Sequence, residues 1–324
     1  MPSSLRAIAL ACTLAAVVPA ARAAPEVVAT IPPLHSLAAQ VMAGIGTPAL
    51  LLPGGSSPHT ASLKPSQAQM LNSADLVAWV GPELETFLVE PLETLSGDAL
   101  LVRASTTPGV ELLDRRLDGV WAAHDHGEAH AEEHHADAAH GEAEHAEHHG
   151  PTVDGHLWLA PANAAALVDA IAAALAELDP ANAAAYRENA ATARTALEDL
   201  DTSLKADLAP VARRPFVVFH DAYQYFEDAY GLTSVGSVVL EPDLPSSAGH
   251  VRALRDEIRE RGAVCVFHEP QFEPRLVATV IEGTPAEAGV LDPLGTGLTA
   301  GPALYGELLR GLADGLVACL TERH

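Results

Sequence analysis

The sequence predicts an α/β protein of two lobes, each a parallel sheet covered by helices, joined by a long backbone helix with a cleft where they meet. Three observations carry this. Short β-rich apolar runs alternate with helical patterns in the first third of the chain. The same alternation returns in the last third. Between the two blocks lies an alanine-rich region with no strand signal and helical punctuation.

In the first block, Val27 to Ile31, Ala49 to Leu52, Asp75 to Val80 and Leu100 to Arg103 read as strands. Pro33 to Ala43, Pro65 to Ser73 and Glu83 to Leu95 read as helices. In the second block, strands are expected at Phe216 to Phe219, Ser237 to Leu240, Ala263 to Phe267 and Gly289 to Leu291. Helices are expected at Ser246 to Arg261, Pro274 to Glu282 and Pro302 to Leu320. In the middle, Ala162 to Leu178 reads as one helix, and Asp179-Pro180 punctuates the chain. Ala181 to Leu208 then reads as a second helix, a stiff connection unlike a Gly/Ser linker. The expected division is a lobe over 24–178, a linking helix over 179–209 and a lobe over 210–324.

Residues 1–23 have the pattern of a signal peptide. Arg6 supplies positive charge, Ala7 to Ala20 is apolar, and Ala21-Arg22-Ala23 fits a small-x-small cleavage site. Cys12 is not read as a lipidation site, because Ala9 stands where such signals usually carry Leu. No other apolar run is read as a membrane span, so the mature chain is expected to be exported and soluble. Export leaves Cys265 and Cys319, an even pair read as a disulfide. The 324-residue chain is 48% apolar and carries a net charge of −25, so it is globular and lacks the basic footprint of a nucleic-acid binder.

One segment departs from this pattern. Within 124–149 stand His124, His126, His130, His134, His135, His140, His145, His148 and His149, nine of the sixteen histidines, among eight carboxylates and no Lys or Arg. Nothing there builds a core, so it is read as a loop and an auxiliary metal site. Imidazole suits Zn²⁺, Ni²⁺ and Cu²⁺. Ordering a flexible tract costs entropy, so its sites are expected to be weak and exchangeable.

A specific site is expected elsewhere. His59 follows the turn-rich Gly54-Gly55-Ser56-Ser57-Pro58, beyond the second strand. His220 follows the apolar run Phe216 to Phe219, and His156 lies just before a helix. Ligands of parallel sheets bind at the carboxyl ends of strands. His268 is read mainly as a structural or surface residue. His35 and His250 are read as helix-start or surface residues, and His324 as a terminal residue without a role.

The stretches SSPHTASLKPSQ (56–67), DGHLWLAPANA (154–164), VVFHDAYQYFEDAYGL (217–232), EPQFEP (269–274) and LDPLG (291–295) resemble the zinc-binding proteins of bacterial zinc ABC importers. They stand in the family's order and span nearly all of the chain after residue 23. The resemblance implies Zn²⁺ held between two lobes by His59, His156 and His220. Three neutral imidazoles suit Zn²⁺ better than the mixed histidine and carboxylate sets expected of manganese-type relatives. Some zinc members have a Glu before the first His; here Pro58 removes that contact. The fourth position is then open to water or to Asp292, which is expected either to bind directly or to accept a ligand's ring N–H, and Asp221 either orients an imidazole or caps the next helix.

The implied role is a monomeric periplasmic receptor that delivers zinc to an ABC permease, not an enzyme. Two other readings stay open: a periplasmic buffer or adhesin acting through the His-rich segment, and a three-histidine zinc hydrolase. The chain carries no HExxH motif and no obvious general base beside the three histidines.

Overall fold

The computed structural model describes residues 23–117, 119–121, 152–240, 242 and 246–321. The signal peptide apart from Ala23, the nine histidines of 124–149 and His324 lie outside the described residues.

The first lobe is built on β1 (Val27–Ala29), β2 (Ala49–Leu50), β3 (Leu76–Trp79) and β4 (Leu100–Arg103), all parallel in the order β2-β1-β3-β4. β1 and β3 are buried throughout, as expected of central parallel strands covered on both faces. Helices α1 (Pro32–Val41), α2 (Pro65–Asn72) and α3 (Val89–Leu95) cover them. The second lobe repeats the plan. Its strands β5 (Phe216–Val218), β6 (Ser234–Ser237), β7 (Cys265–His268) and β8 (Glu287–Val290) are ordered β6-β5-β7-β8. With them run α6 (Gln224–Tyr230), α7 (Ala248–Arg261), α8 (Arg275–Ile281) and α9 (Leu304–Leu320).

Between the sheets run α4 (Pro161–Leu178) and α5 (Ala183–Leu208). At about 1.5 Å per residue, the 26 residues of α5 span about 39 Å. Its buried residues Tyr186, Ala190, Ala193, Leu197, Leu200, Leu204 and Leu208 recur at three or four positions, forming one stripe. That stripe packs on α4, on α1 of the first lobe and on α9 of the second. One apolar cluster therefore runs without a break from Leu34 through Leu200 to Leu308. Contrary to the sequence reading, α4 is itself long and apolar enough to cross a membrane, with a mean hydropathy of 1.3. Its Leu167, Val168, Ile171 and Leu175 are buried in this core instead.

Three elements depart from expectation. The helix expected from Glu83 begins only at the 3₁₀ turn Thr86–Leu88, because Glu85 turns inward to accept the Val80 N–H at 2.7 Å. The strand expected at 237–240 lies at Ser234–Ser237. The apolar pair Val238 and Val239 marks burial, whereas the ladder on β5 starts earlier, in polar edge residues. α6 was not delimited in the sequence, where its short aromatic stretch reads as packing around a site. His35 and His250 stand in the first turns of α1 and α7, as read, but are buried: His35 Nε2 lies 3.1 Å from Pro48 O, and His250 Nε2 lies 2.8 Å from Ser237 O.

The Cys265–Cys319 disulfide joins β7 to α9, with Cα atoms 6.2 Å apart. Both sheets direct the carboxyl ends of their strands to the same cleft, and the loops after β2 and β5 carry His59 and His220 there.

Candidate metal centre

His220 comes off the end of β5, where buried Phe216 to Val218 fix the direction of the chain. His156 caps the short 3₁₀ turn Leu157–Leu159, whose three residues are all buried. The residue before it must be small. A Cβ on Gly155 would stand 2.9 Å from Leu84 Cβ and 3.3 Å from the Glu83 carbonyl carbon. His59 sits on the loop after β2. That loop passes so close to the second lobe that a Cβ on Gly54 would lie 2.6 Å from Thr296 O.

The three rings meet. His156 Nε2 lies 3.2 Å from His59 Nε2 and 3.3 Å from His220 Nε2. Among the described residues these three make up the group whose donor atoms all lie within 4.8 Å of one another. Tetrahedral zinc with Zn–N bonds of about 2.0–2.1 Å places its nitrogens about 3.3–3.4 Å apart. The observed spacing is therefore that of ligands around one small ion.

Carboxylates orient two of the rings. His156 Nδ1–H donates to Asp154 Oδ1 at 2.7 Å, and His220 Nδ1–H donates to Glu269 Oε1 at 2.7 Å. With the proton on Nδ1, each Nε2 presents its lone pair to the shared point. Among the described residues no carboxylate accepts from the His59 ring, which is also the most exposed of the three. The site thus sets two buried carboxylates behind three imidazoles, a charge that balances a divalent cation when the rings are neutral.

The surroundings favour neutral imidazole at two positions. Burial, then the charges of neighbouring histidines, hold His59 and His156 well below the usual histidine range. Burial also pulls on His220, but the Glu269 carboxylate outweighs it and raises that group. Burial pushes the Asp154 carboxyl up to about 6, against the stabilising His156 backbone N–H. Trp158, fully buried, packs against His156 with ring centroids 5.4 Å apart, and its indole N–H donates to Pro293 O at 2.9 Å. Beside the rings opens a cleft of about 410 Å³, lined in part by Glu83, Arg115, Trp121 and Asp221.

Two expectations are corrected here. Asp292 is outside the cluster. Its Oδ1 accepts from Leu294 N at 3.1 Å and Gly295 N at 3.0 Å, and its Oδ2 accepts from Thr296 N at 2.7 Å and Thr296 Oγ1 at 2.8 Å. It builds the loop on which Gly54, and so the His59 turn, rests. Asp221 neither orients an imidazole nor caps α6; it is held by Arg116. The ring acceptors Asp154 and Glu269 were not singled out in the sequence. A signal existed for Asp154, two residues before His156, but Glu269 lies 49 positions from His220. His268 ends β7 and is not part of the cluster.

Fold and site define a class: a two-lobed parallel α/β protein that brings three imidazoles together, as a candidate metal centre, between its lobes. The family model described as "ZnuA: Zinc-uptake complex component A periplasmic" matches residues 27–319. The chain is 42% identical over 306 residues to the "High-affinity zinc uptake system protein ZnuA" of Brucella suis, covering 91% of this chain and 92% of that protein. Identity to the protein of the same name from Paracoccus denitrificans is 42% over 328 residues, covering 98% of each chain. Among solved structures, a zinc-bound ZnuA carrying a 138–173 deletion superposes with a TM-score of 0.73 at 24% identity, over 93% of this chain and all of that one. The periplasmic zinc-binding protein TroA of Treponema pallidum superposes with a TM-score of 0.74 at 22% identity, over 92% of this chain and all of that one. The chain belongs to the ZnuA family of periplasmic zinc-uptake components.

Proposed function

We propose that this protein captures Zn²⁺ in the periplasm through His59, His156 and His220 and hands it, as a monomer, to the permease of an ABC importer. The observation that carries the ligand set is the convergence of three imidazole nitrogens within 4.8 Å of one another, with His156 Nε2 at the spacing of a tetrahedral zinc shell from both of the others. The carboxylates of Asp154 and Glu269 support it, because they hold two rings in the ligating tautomer. Within the chain, 24–178 and 210–324 act as the two lobes, 179–209 as the stiff link and 1–23 as the cleaved signal. The His-rich segment 124–149 serves as an accessory collector, and the fourth zinc position is left to water or to an incoming ligand. The role is binding and handover, not turnover.

The test is zinc titration by calorimetry, with native mass spectrometry, on three forms of the mature protein. These are the wild type, a deletion of 124–149, and the His59→Ala/His156→Ala/His220→Ala variant. The deletion is expected to keep one tight zinc and the triple variant to lose it. A tight site that survives the triple substitution and disappears with the deletion would replace this reading with a loop-based zinc buffer. Hydrolysis of a model ester by the zinc-loaded wild type would instead support the hydrolase.

A further inference from the structure

The segment after β4 does not stay with the first lobe. Residues 113–115 pair with 152–154 through the Asp114–Val153 bridge, with Arg115 N donating to Thr152 O and Asp154 N to Leu113 O. This double-stranded strap leads directly into His156. It lies on α6 of the second lobe: Tyr225 Oη accepts from Leu113 N at 2.9 Å and donates to Asp154 O at 2.9 Å, and Gln224 Nε2 donates to Asp114 O at 3.1 Å. Val120 continues across and packs where a Cβ on Gly236 would sit, 2.9 Å from Val120 Cγ2 and 2.7 Å from Leu254 Cδ1.

Arg116 stands at the centre of this crossing. Its Nε donates to Asp221 Oδ2 at 2.9 Å, and its Nη2 donates to the other oxygen of the same carboxylate. Its Nη1 donates to Glu227 Oε2 at 2.8 Å and to Ser234 Oγ at 3.1 Å. Trp121 lies over the guanidinium, 3.8 Å from ring centroid to Cζ. One planar cation thus grips two carboxylates of the second lobe. A fork of this kind needs guanidinium geometry, which a lysine does not reproduce. Asp221 is the residue after His220, and Arg116 belongs to the strap that delivers His156. With the bonds of Tyr225 and Gln224, this contact ties the chain segment of one imidazole to the chain segment of another, and it is the one that carries charge on both sides.

We infer that Arg116 is a positioning residue for zinc retention: its fork on Asp221 and Glu227 locks the His156 strap to the His220 loop and so sets the rate at which the ion escapes. Arg116 does not touch the rings. It acts by fixing the relative placement of two backbones, so that neither Nε2 withdraws without breaking a shielded ion pair. The inference rests on the zinc site proposed above.

The experiment measures zinc release in stopped flow, with excess EDTA, from the zinc-loaded mature protein. Arg116→Lys and Asp221→Asn are each expected to release zinc faster by about tenfold or more, a size usual for coupled sites. The double variant should be no faster than the faster single, because both remove one contact. Arg116→Lys keeps the charge, so failure of lysine to rescue separates the fork from simple electrostatics. Leu204→Ala weakens the core at a buried α5 residue that does not line the cleft and should release zinc at the wild-type rate, which separates the lock from general loss of stability. Release within about twofold of wild type in both single variants, additive effects in the double, or equally fast release from Leu204→Ala each overturn the inference. The His59→Ala/His156→Ala/His220→Ala variant is run alongside. If it keeps the tight zinc, the site assignment fails and this inference fails with it; if it loses the zinc while the Arg116 and Asp221 variants release normally, the lock alone is wrong.

Discussion

At His156 and His220 the Nδ1–H is given to a buried carboxylate, and the chemistry of the centre follows from that pairing. A carboxylate that accepts from a ligating imidazole fixes the ring, selects the tautomer and raises the basicity of the nitrogen that faces the metal. Asp154→Asn and Glu269→Gln are therefore each expected to weaken zinc binding by about 10- to 100-fold, measured by competition with a chromophoric chelator. An unchanged affinity in both would show that the rings orient themselves. Asp292 makes a contrasting case. Its oxygens satisfy the backbone N–H groups of Leu294, Gly295 and Thr296, so Asp292→Asn should cost about 1–3 kcal/mol of stability in urea unfolding. Its effect on zinc affinity should be much smaller than that of Asp154→Asn. A loss of affinity equal to that of a ligand substitution would restore Asp292 as a direct zinc ligand. Glu85 carries a pH dependence of its own. Burial pushes its carboxyl from 4.5 up to about 7, against hydrogen bonds that include the Val80 N–H. Between those values the folded state binds the proton and the unfolded chain does not. The contribution to stability is therefore full below 4.5 and lost as pH rises through about 7. Glu85→Gln removes the penalty. Relative to wild type it should gain about 3 kcal/mol more at pH 8 than at pH 4, read from paired urea titrations. An equal difference at both pH values would rule this out.

Among the elements, α5 and the disulfide do the holding. The α5 stripe from Tyr186 to Leu208 touches α4, α1 and α9, so one helix serves the cores of both lobes. The Cys265–Cys319 bond closes a separation of 54 residues between β7 and α9. In the chain-entropy account such a loop contributes about 4 kcal/mol by restricting the unfolded chain. Reduction should lower the urea midpoint of the metal-free protein correspondingly. Because Glu269 lies beyond β7 on the cleft side, the zinc-loaded form should be less sensitive to reductant than the metal-free form, through the binding free energy of the ion. Equal sensitivity of the two forms would count against that coupling.

For the molecule as a whole, the continuous core decides what motions remain. Opening the lobes as rigid bodies would break the cluster that runs from Leu34 through Leu200 to Leu308. Exposing that apolar surface is costly, at about 25 cal/mol per Å². Capture and release are then expected as local events in the His59 turn and the strap. Small-angle scattering of the mature protein should give the same radius of gyration with and without Zn²⁺, within experimental error. A clear contraction on adding zinc would mean that the lobes hinge. The distribution of exposure agrees with local gating: His59 is half-buried, whereas His156 and His220 are 6% and 5% exposed.

Much of this protein was determined by its sequence alone. The alternation of apolar runs and helical patterns set two parallel sheets, because a buried parallel strand needs an unbroken apolar run and its crossover needs a helix. Asp179-Pro180 and the helical stretch after it marked the spine, and the even cysteine count paired Cys265 with Cys319. His59, His156 and His220 were legible as candidates from their places in the chain, His59 and His220 in loops at the carboxyl ends of parallel strands, and the family stretches then named the same three. What only the tertiary structure decided are the partnerships between residues far apart in the chain. Glu269 reaches His220 across 49 positions, and Arg116 reaches Asp221 across 105. No local pattern encodes such pairs: Glu269 meets His220 because β5 and β7 pair in one sheet, and Arg116 meets Asp221 only once the strap lies across the second lobe. Asp292 shows the same limit from the other side. Its motif suggested a place at the ion, but the backbone N–H groups of its own loop took up its carboxylate.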